Sequence, residues 1–331
     1  MTARILIAGG YGLVGGWIAR HVRAAGHDVE LILAGRHPEV GRALAAELGA
    51  RTARLDVLDA EAGLTEVGPV DLVVAALIDP GDSLLTASLK AGAAHIGIVG
   101  MAESVASIVA AAARHARRPA LIAGHWQAGA LVAAAQVATR AFSRVNRVEL
   151  TALYDYADPI GPMTEGDAAS FGGQATLREN DVWVRREARS DPRNVARRGG
   201  PAFDALPTGV LDVFSLAAVT GAADVRFDLG VGASLGTLSG GPASHDLYVD
   251  LEGVLSDGSA GRRRWRMSDP KGQAHLTGLG VLVGIERILG LDGAPAPKGG
   301  GVAFPENLLN AEQTVMRLQA LGVRFEAEAL A

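Results

Sequence analysis

An apolar run, Ile5–Ala8, leads without a break into Gly9-Gly10-Tyr11-Gly12-Leu13-Val14-Gly15. Gly10, Gly12 and Gly15 satisfy the G-x-G-x-x-G spacing, and Gly9 adds the G-x-x-G-x-x-G variant. This turn constrains the chain more than any other feature. Glycine supplies the unusual backbone angles the turn needs and lets the main chain approach a phosphate with no Cβ in the way. The helix that follows then points its free N–H groups and positive dipole end at that phosphate. In a chain with 43 glycines the spacing alone says little. Its place after a strand and before a helix gives it meaning. The residues expected to hold a dinucleotide there are Gly9, Gly10, Tyr11, Gly12, Leu13, Val14 and Gly15.

The pattern around the turn supports this. Arg4–Ala8, Val29–Ala34, Arg51–Asp56, Val70–Leu77, His95–Val99 and Ala120–Ala123 are the candidate strands. Several lack polar alternation, as central strands covered on both faces do. Helical patterns at Gly15–Ala25, Val40–Leu48, Asp82–Ala91 and Ala102–Ala116 lie between them, and Gly26, Gly49 and Gly92 each follow a helix. Six such strands imply an α/β fold of the Rossmann type, a doubly wound parallel sheet with its ligand at the carboxyl ends of the strands.

The end of the second strand bears on which cofactor binds. A strand that serves NAD usually ends on an acidic side chain that holds the ribose 2′-hydroxyl. Here the chain reads Ala34-Gly35-Arg36-His37. A guanidinium offers fixed donors to a 2′-phosphate, so Gly35 and Arg36 favour NADP over NAD. Asp56, ending the third strand, either lies beside the adenine or caps a helix. Val57, Ala76 and Leu77, at the ends of the third and fourth strands, complete the expected cofactor contacts.

After residue 145 the period changes. Arg147–Tyr156 and His245–Val254 alternate apolar with polar residues, and Val182–Glu187, Val225–Gly232 and Arg262–Met267 are further strand candidates. Period two implies one packed and one wet face, hence a mixed or antiparallel sheet in a second, α+β domain. Two helices are expected near the carboxyl end, Thr277–Leu289 and Glu306–Leu321, with Gly293–Gly301 as a loop between them. Leu308, Leu309, Val315, Leu318 and Leu321 form the expected buried stripe of the second.

Composition narrows the partners. A net charge of −5 leaves no basic footprint for nucleic acid or an acidic membrane. Apolar residues are 49%, yet no run approaches the roughly 20 residues of a membrane helix. The apolar run Ile5–Ala8 is too short for a signal sequence, so a cytoplasmic protein is expected. With no cysteine and no histidine pair at helical spacing, no metal site is expected.

The Gly turn, Ala34-Gly35-Arg36 and the run Leu84-Leu85-Thr86-Ala87-Ser88-Leu89-Lys90-Ala91-Gly92-Ala93 resemble the saccharopine dehydrogenase-like reductase family. The late elements Thr277-Gly278, Phe304-Pro305-Glu306 and Leu321-Gly322-Val323 are similar to the family's carboxyl end. The resemblance implies that the closing helices return to the nucleotide domain and that the second domain is inserted. The expected organisation is therefore residues 1–124 as nucleotide domain, 125–272 as substrate or dimerisation domain, and 273–331 as helices packing back on the first. Two family features are missing: Ile98 stands where the family often has Asp, and Gly124-His125-Trp126-Gln127-Ala128-Gly129 lacks the family's proline.

These readings point to an NADP-dependent reductase or dehydrogenase acting on an imine or carbonyl of a small metabolite, with that metabolite and a second copy of the chain as the candidate partners. Hydride transfer asks a protein for orientation, exclusion of water and a proton donor. His125, directly after a nucleotide-domain strand, and Tyr154, in the polar-aromatic cluster Tyr154-Asp155-Tyr156-Ala157-Asp158, are the candidates. His125 reads equally well as hinge packing, and Tyr154 as core. The Arg262–Arg266 run is expected at the surface. The alternative is a non-catalytic NADP sensor resembling NmrA-like atypical short-chain dehydrogenases, which share the glycine spacing. A true short-chain dehydrogenase would need Tyr-x-x-x-Lys, and none of the 4 tyrosines is followed by that lysine.

Overall fold

The computed structural model describes residues 2–98, 105–161 and 173–328. The chain divides into two units, one of Met1–Gly124 with Thr277–Leu309 and one of His125–Leu276 with Asn310–Ala331.

In the first unit, strands β1 (Ala3–Ala8), β2 (Val29–Gly35), β3 (Arg51–Arg54), β4 (Leu72–Ala75), β5 (Ala94–Gly97) and β6 (Pro119–Ile122) lie where the apolar runs place them. A three-residue strand, Gly301–Ala303, joins β6, where the sequence reads as the end of a loop. The order is Gly301–Ala303, β6, β5, β4, β1, β2, β3, every pair parallel. Ile5, Leu6, Ile7 and Ala8 are all fully buried, which is why β1 shows no alternation. Helices α1 (Leu13–Ala24), α2 (Arg42–Leu48), α3 (Ala60–Val67), α4 (Ser83–Lys90) and α5 (Val105–His115) connect the strands. α3 has no counterpart in the sequence reading. It is short, carries Gly63 and buries three residues, Ala60, Leu64 and Val67.

The helix expected at Thr277 begins at Gln273 and runs to Leu289. Its start is fixed by a distant group, since the Asp158 carboxylate accepts the Gln273 N–H at 2.7 Å. Its later part lies on α1, and a Cβ at Gly278 would stand 3.0 Å from Trp17 Cβ. The helix expected over 306–321 is broken. Leu309 is extended (ψ 145) and the Asn310 side chain accepts from Gln313 N–H, so Pro305–Leu308 and Ala311–Ala320 are separate helices. Val315 and Leu318 are buried, while Leu308, Leu309 and Leu321 are half-buried.

That break also corrects the domain expectation for the end of the chain. From Asn310 onward the chain belongs to the second unit, not to the first. Ala311–Ala320 packs on α6 (Ala130–Ala138), and the last strand, Arg324–Glu328, pairs antiparallel with residues 264–268.

The second unit is a nine-stranded mixed sheet. Its strands are β7 (Phe142–Tyr154), β8 (Gln174–Glu179), β9 (Val182–Glu187), β10 (Arg193–Val195), β11 (Phe203–Pro207), β12 (Asp224–Val231), β13 (His245–Leu255) and β14 (Ala260–Asp269), with Arg324–Glu328 last. β7 pairs parallel with β12 and antiparallel with β13. α6 and the helix Leu211–Thr220 accompany this sheet, and both escape a search for amphipathic period because they are apolar almost all round.

The polar face of this sheet is not wet, contrary to its alternation. Asp228, Asp250, Glu149 and Arg264 are buried. Arg264 grips Asp250 with two bonds of 2.8 and 2.6 Å, and Arg193 of β10 reaches Glu149 at 2.5 Å and Asp228 at 2.9 Å. The segment around β10 covers the face, with Arg264 donating to the Ala196 carbonyl and Arg198 N–H to Glu328 at 2.6 Å. Paired, hydrogen-bonded charges tolerate such cover, whereas a single one would not. The expected surface run Arg262–Arg266 is therefore partly interior. Among the described residues, no helix is long and apolar enough to cross a membrane.

Candidate functional site

The turn between β1 and α1 is tied to β2, with Gly9 N–H donating to the Ala34 carbonyl at 2.8 Å and Gly12 N–H to the Gly9 carbonyl at 2.9 Å. Its glycines are required by crowding. Gly9 has φ +76, and a Cβ there would sit 2.6 Å from the Ala76 carbonyl oxygen. A Cβ on Gly15 would stand 2.1 Å from the Gly9 oxygen. Gly12 caps α1 with no side chain, and no acidic residue lies in the first turn. The first N–H groups of this 12-residue helix have no side-chain cap and lie beside the glycine backbone of the turn, a cradle suited to a diphosphate. Ala76 and Leu77 abut the turn, with Leu77 Cβ 3.5 Å from the position a Gly9 Cβ would take.

Tyr11 lies across the end of β2 instead of pointing out of the turn. Its hydroxyl accepts the His37 N–H at 3.1 Å, and a Cβ on Gly35 would meet that oxygen at 2.2 Å. Burial pushes the phenol above its ordinary pKa. Gly35 is thus small because Tyr11 needs the space. Arg36 is exposed and forms no hydrogen bond or ion pair among the described residues. The Asp56 carboxylate accepts Leu58 N–H at 3.1 Å and caps the short turn Val57–Asp59.

His125 and Tyr154 both belong to the second unit. His125 is buried, its Nε2 2.7 Å from Ser215 Oγ. The two residues that follow Trp126, Gln127 and Ala128, both have left-handed φ, at +55 and +54. This turn is fastened on every side. Trp126 N–H donates to Asp212 at 2.8 Å, and Trp126 Nε1 and Gln127 Nε2 both donate to His245 Nε2, at 3.2 and 2.8 Å. An imidazole nitrogen that accepts twice is unprotonated, and burial holds His245 down at about 4, so it is neutral at physiological pH. Left-handed non-glycine residues cost roughly 1–2 kcal/mol each and persist where surrounding contacts over-determine them. Tyr154 is half-buried, its ring edge-on to Tyr156 at 5.4 Å.

With the architecture and the turn in view, the comparison with solved structures is direct. Apo saccharopine dehydrogenase (L-Glu forming) from Saccharomyces cerevisiae superposes with a TM-score of 0.71 at 13% identity, covering 99% of this chain and 100% of that one. The chain has the saccharopine dehydrogenase fold. Lower similarity links it to scyllo-inositol dehydrogenase from Lactobacillus casei with bound NAD(H) and scyllo-inositol (TM-score 0.52, 12% identity, 97% of this chain and 95% of that one). GenD2 from gentamicin A biosynthesis in complex with NAD is similar at TM-score 0.51 and 16% identity, over 99% of this chain and 97% of that one. No family model matches the sequence, and no curated protein does.

One buried histidine of the first unit is not announced by the sequence. His95, in an otherwise apolar β5, is buried, and its Nδ1 lies 2.9 Å from Ser88 Oγ. It lines a cavity of about 400 Å³ at the carboxyl ends of β4, β5 and β6, with Leu77, Asp79, Leu85 and Ile108. A single histidine inside an apolar strand carries no spacing signal, so sequence reasoning passes over it.

Proposed function

We propose that the protein is an NAD(P)-dependent oxidoreductase that moves a hydride between the nicotinamide and an imine or carbonyl carbon of a small metabolite. The observation that carries this reading is the glycine-rich turn at the start of α1, where no side chain caps the helix, set in a fold shared with saccharopine dehydrogenase. The nicotinamide, when bound, supplies or takes up the hydride. The chain's own residues bind, orient and manage the proton. Gly9 to Gly15 receive the diphosphate, Leu77 borders its path, and Asp56 and Val57 close the adenosine side. His125, hydrogen-bonded to Ser215 Oγ, is the proposed proton donor, and Tyr154 the proposed substrate anchor. A nine-stranded second sheet supports an enzyme over a sensor with a small helical lobe.

The cofactor preference rests on Arg36. Two of the similar structures hold NAD, whereas an exposed guanidinium at the end of β2, with its donors unspent, suits a 2′-phosphate. NADPH is expected to bind about tenfold more tightly than NADH, as for one charge-assisted contact, with Arg36→Ala abolishing the difference. Equal affinities in the unaltered protein would sink the NADP assignment. Turnover with a panel of keto acids and cyclic imines tests the reaction. His125→Asn should lower kcat by roughly 10²-fold or more and leave cofactor affinity unchanged. Failure to oxidise the reduced cofactor with any of them would remove the reductase reading.

A further inference from the structure

We infer that the cavity at the carboxyl ends of β4, β5 and β6 houses the nicotinamide ring, and that His95 Nε2 accepts a hydrogen bond from its carboxamide. This deepens the proposed function and rests on it. The hydrogen bonds around His95 fix its chemistry. Ser88 Oγ donates its proton to the Leu85 carbonyl at 2.8 Å, so at 2.9 Å from His95 Nδ1 it is the acceptor. Nδ1 therefore carries the imidazole proton and Nε2 keeps its lone pair. Burial holds the ring down at about 4, so it remains neutral at physiological pH.

The lone pair has somewhere to go. A Cβ at Gly97 would stand 3.6 Å from His95 Nε2, and glycine leaves that route open toward the end of β5. Leu85, Ile108 and Ile122 give the cavity an apolar lining, and Asp79, Asp82 and Ser107 add polar groups to it. The Asp79 carboxylate on the rim is committed to the N–H groups of Leu84 and Leu85, both at 2.9 Å. What fits is a flat ring that brings an N–H donor to the Nε2 lone pair.

Location selects which ring. In a doubly wound sheet the dinucleotide crosses the point where strand order reverses, here between β1 and β4. Arg36, just past β2, marks the adenosine side. The cavity lies on the other side, and Leu77 is shared between it and the Gly9 turn.

The test compares reduced dinucleotide with its nicotinamide-free fragment, NADPH against 2′-phospho-ADP-ribose and NADH against ADP-ribose, by calorimetric titration. His95→Phe should weaken the dinucleotide about tenfold, the value of one buried acceptor, with the fragment within about twofold. Ser88→Ala frees the ring to switch tautomer and should give a smaller loss of the same kind. Retained fragment affinity reports that the unit is folded. If the ratio of dinucleotide to fragment affinity stays within about twofold of the unaltered protein in both variants, the assignment of His95 is overturned. If the unaltered protein binds neither ligand, it is the dinucleotide reading that fails.

Discussion

Gly12 and Gly15 stand in the same turn, yet a side chain meets different space at each. At Gly15 a Cβ would be 2.1 Å from the Gly9 oxygen, and at Gly12 it would be 3.2 Å from the same atom. Gly15 lies within α1, where helix propensity would favour alanine by about 1 kcal/mol. The collision is with backbone that cannot move without unmaking the turn, and overpacking of that kind costs roughly 1–3 kcal/mol. Gly15→Ala is therefore expected to destabilise the protein in urea melts and to weaken dinucleotide binding at least about tenfold, while Gly12→Ala changes stability by less than about 1 kcal/mol. A Gly15→Ala protein that is more stable and binds as before would show that propensity outweighs the contact. The glycine positions were legible in the sequence because backbone geometry leaves one residue type. Tyr11 was not: its neighbours there suggest a phosphate contact, and its ring instead spans Gly35 and Gly41.

Elements whose ends are set locally were legible, and those set at a distance were not. The strands β1 to β6 follow from apolar runs. The helix Gln273–Leu289 starts four residues earlier than its own sequence suggests, because its first N–H is met by a carboxylate 115 residues away. The polar face of the second sheet reads as wet because alternation cannot show that β10 will cover it. The Asp158 cap has a cost that depends on pH. Burial first, then the neighbouring charges of Asp155 and Asp269, raise its carboxyl from 3.8 to about 6, against the Gln273 hydrogen bond. Asp155 behaves oppositely: burial raises it, but bonds from Ser234, Thr237 and Ala157 hold it at about 2. An acid whose folded pKa is raised contributes stability that is complete below pH 3.8 and lost as pH rises through 6. At pH 8, ionised Asp158 thus costs on the order of 2–3 kcal/mol relative to its protonated form. Asp158→Asn keeps an acceptor for Gln273 without the charge. It should raise the unfolding free energy from urea melts at pH 8 by up to about 2 kcal/mol and flatten the stability slope between pH 4 and 6. An equal loss of stability at pH 4.5 and pH 8 would contradict this account.

At the scale of the whole molecule, the chain leaves the nucleotide unit at Gly124, returns at Thr277 and leaves again after Leu309. The family resemblance led to the expectation that everything after residue 272 serves the nucleotide unit, and for the last segment the structure says otherwise. Asn310–Glu328 gives the second unit a helix on α6 and the strand that closes β14 over Arg264 to Ser268. Deleting the chain after Leu309 removes buried Val315 and Leu318, and core losses of this kind run to roughly 1–5 kcal/mol each. It also uncovers β14 as an unpaired edge. Domain stabilities total about 5–15 kcal/mol, so the second unit should lose most of its own. The nucleotide unit keeps all seven of its strands in such a chain, since the last of them ends at Ala303. Amides of Trp265 and Met267 are therefore expected to exchange rapidly after the deletion, with dinucleotide affinity within about twofold of the full chain. Protected β14 amides together with lost dinucleotide binding would return the last segment to the nucleotide unit. This separation of effects follows from where the chain breaks its final helix, at an asparagine whose side chain caps the next turn.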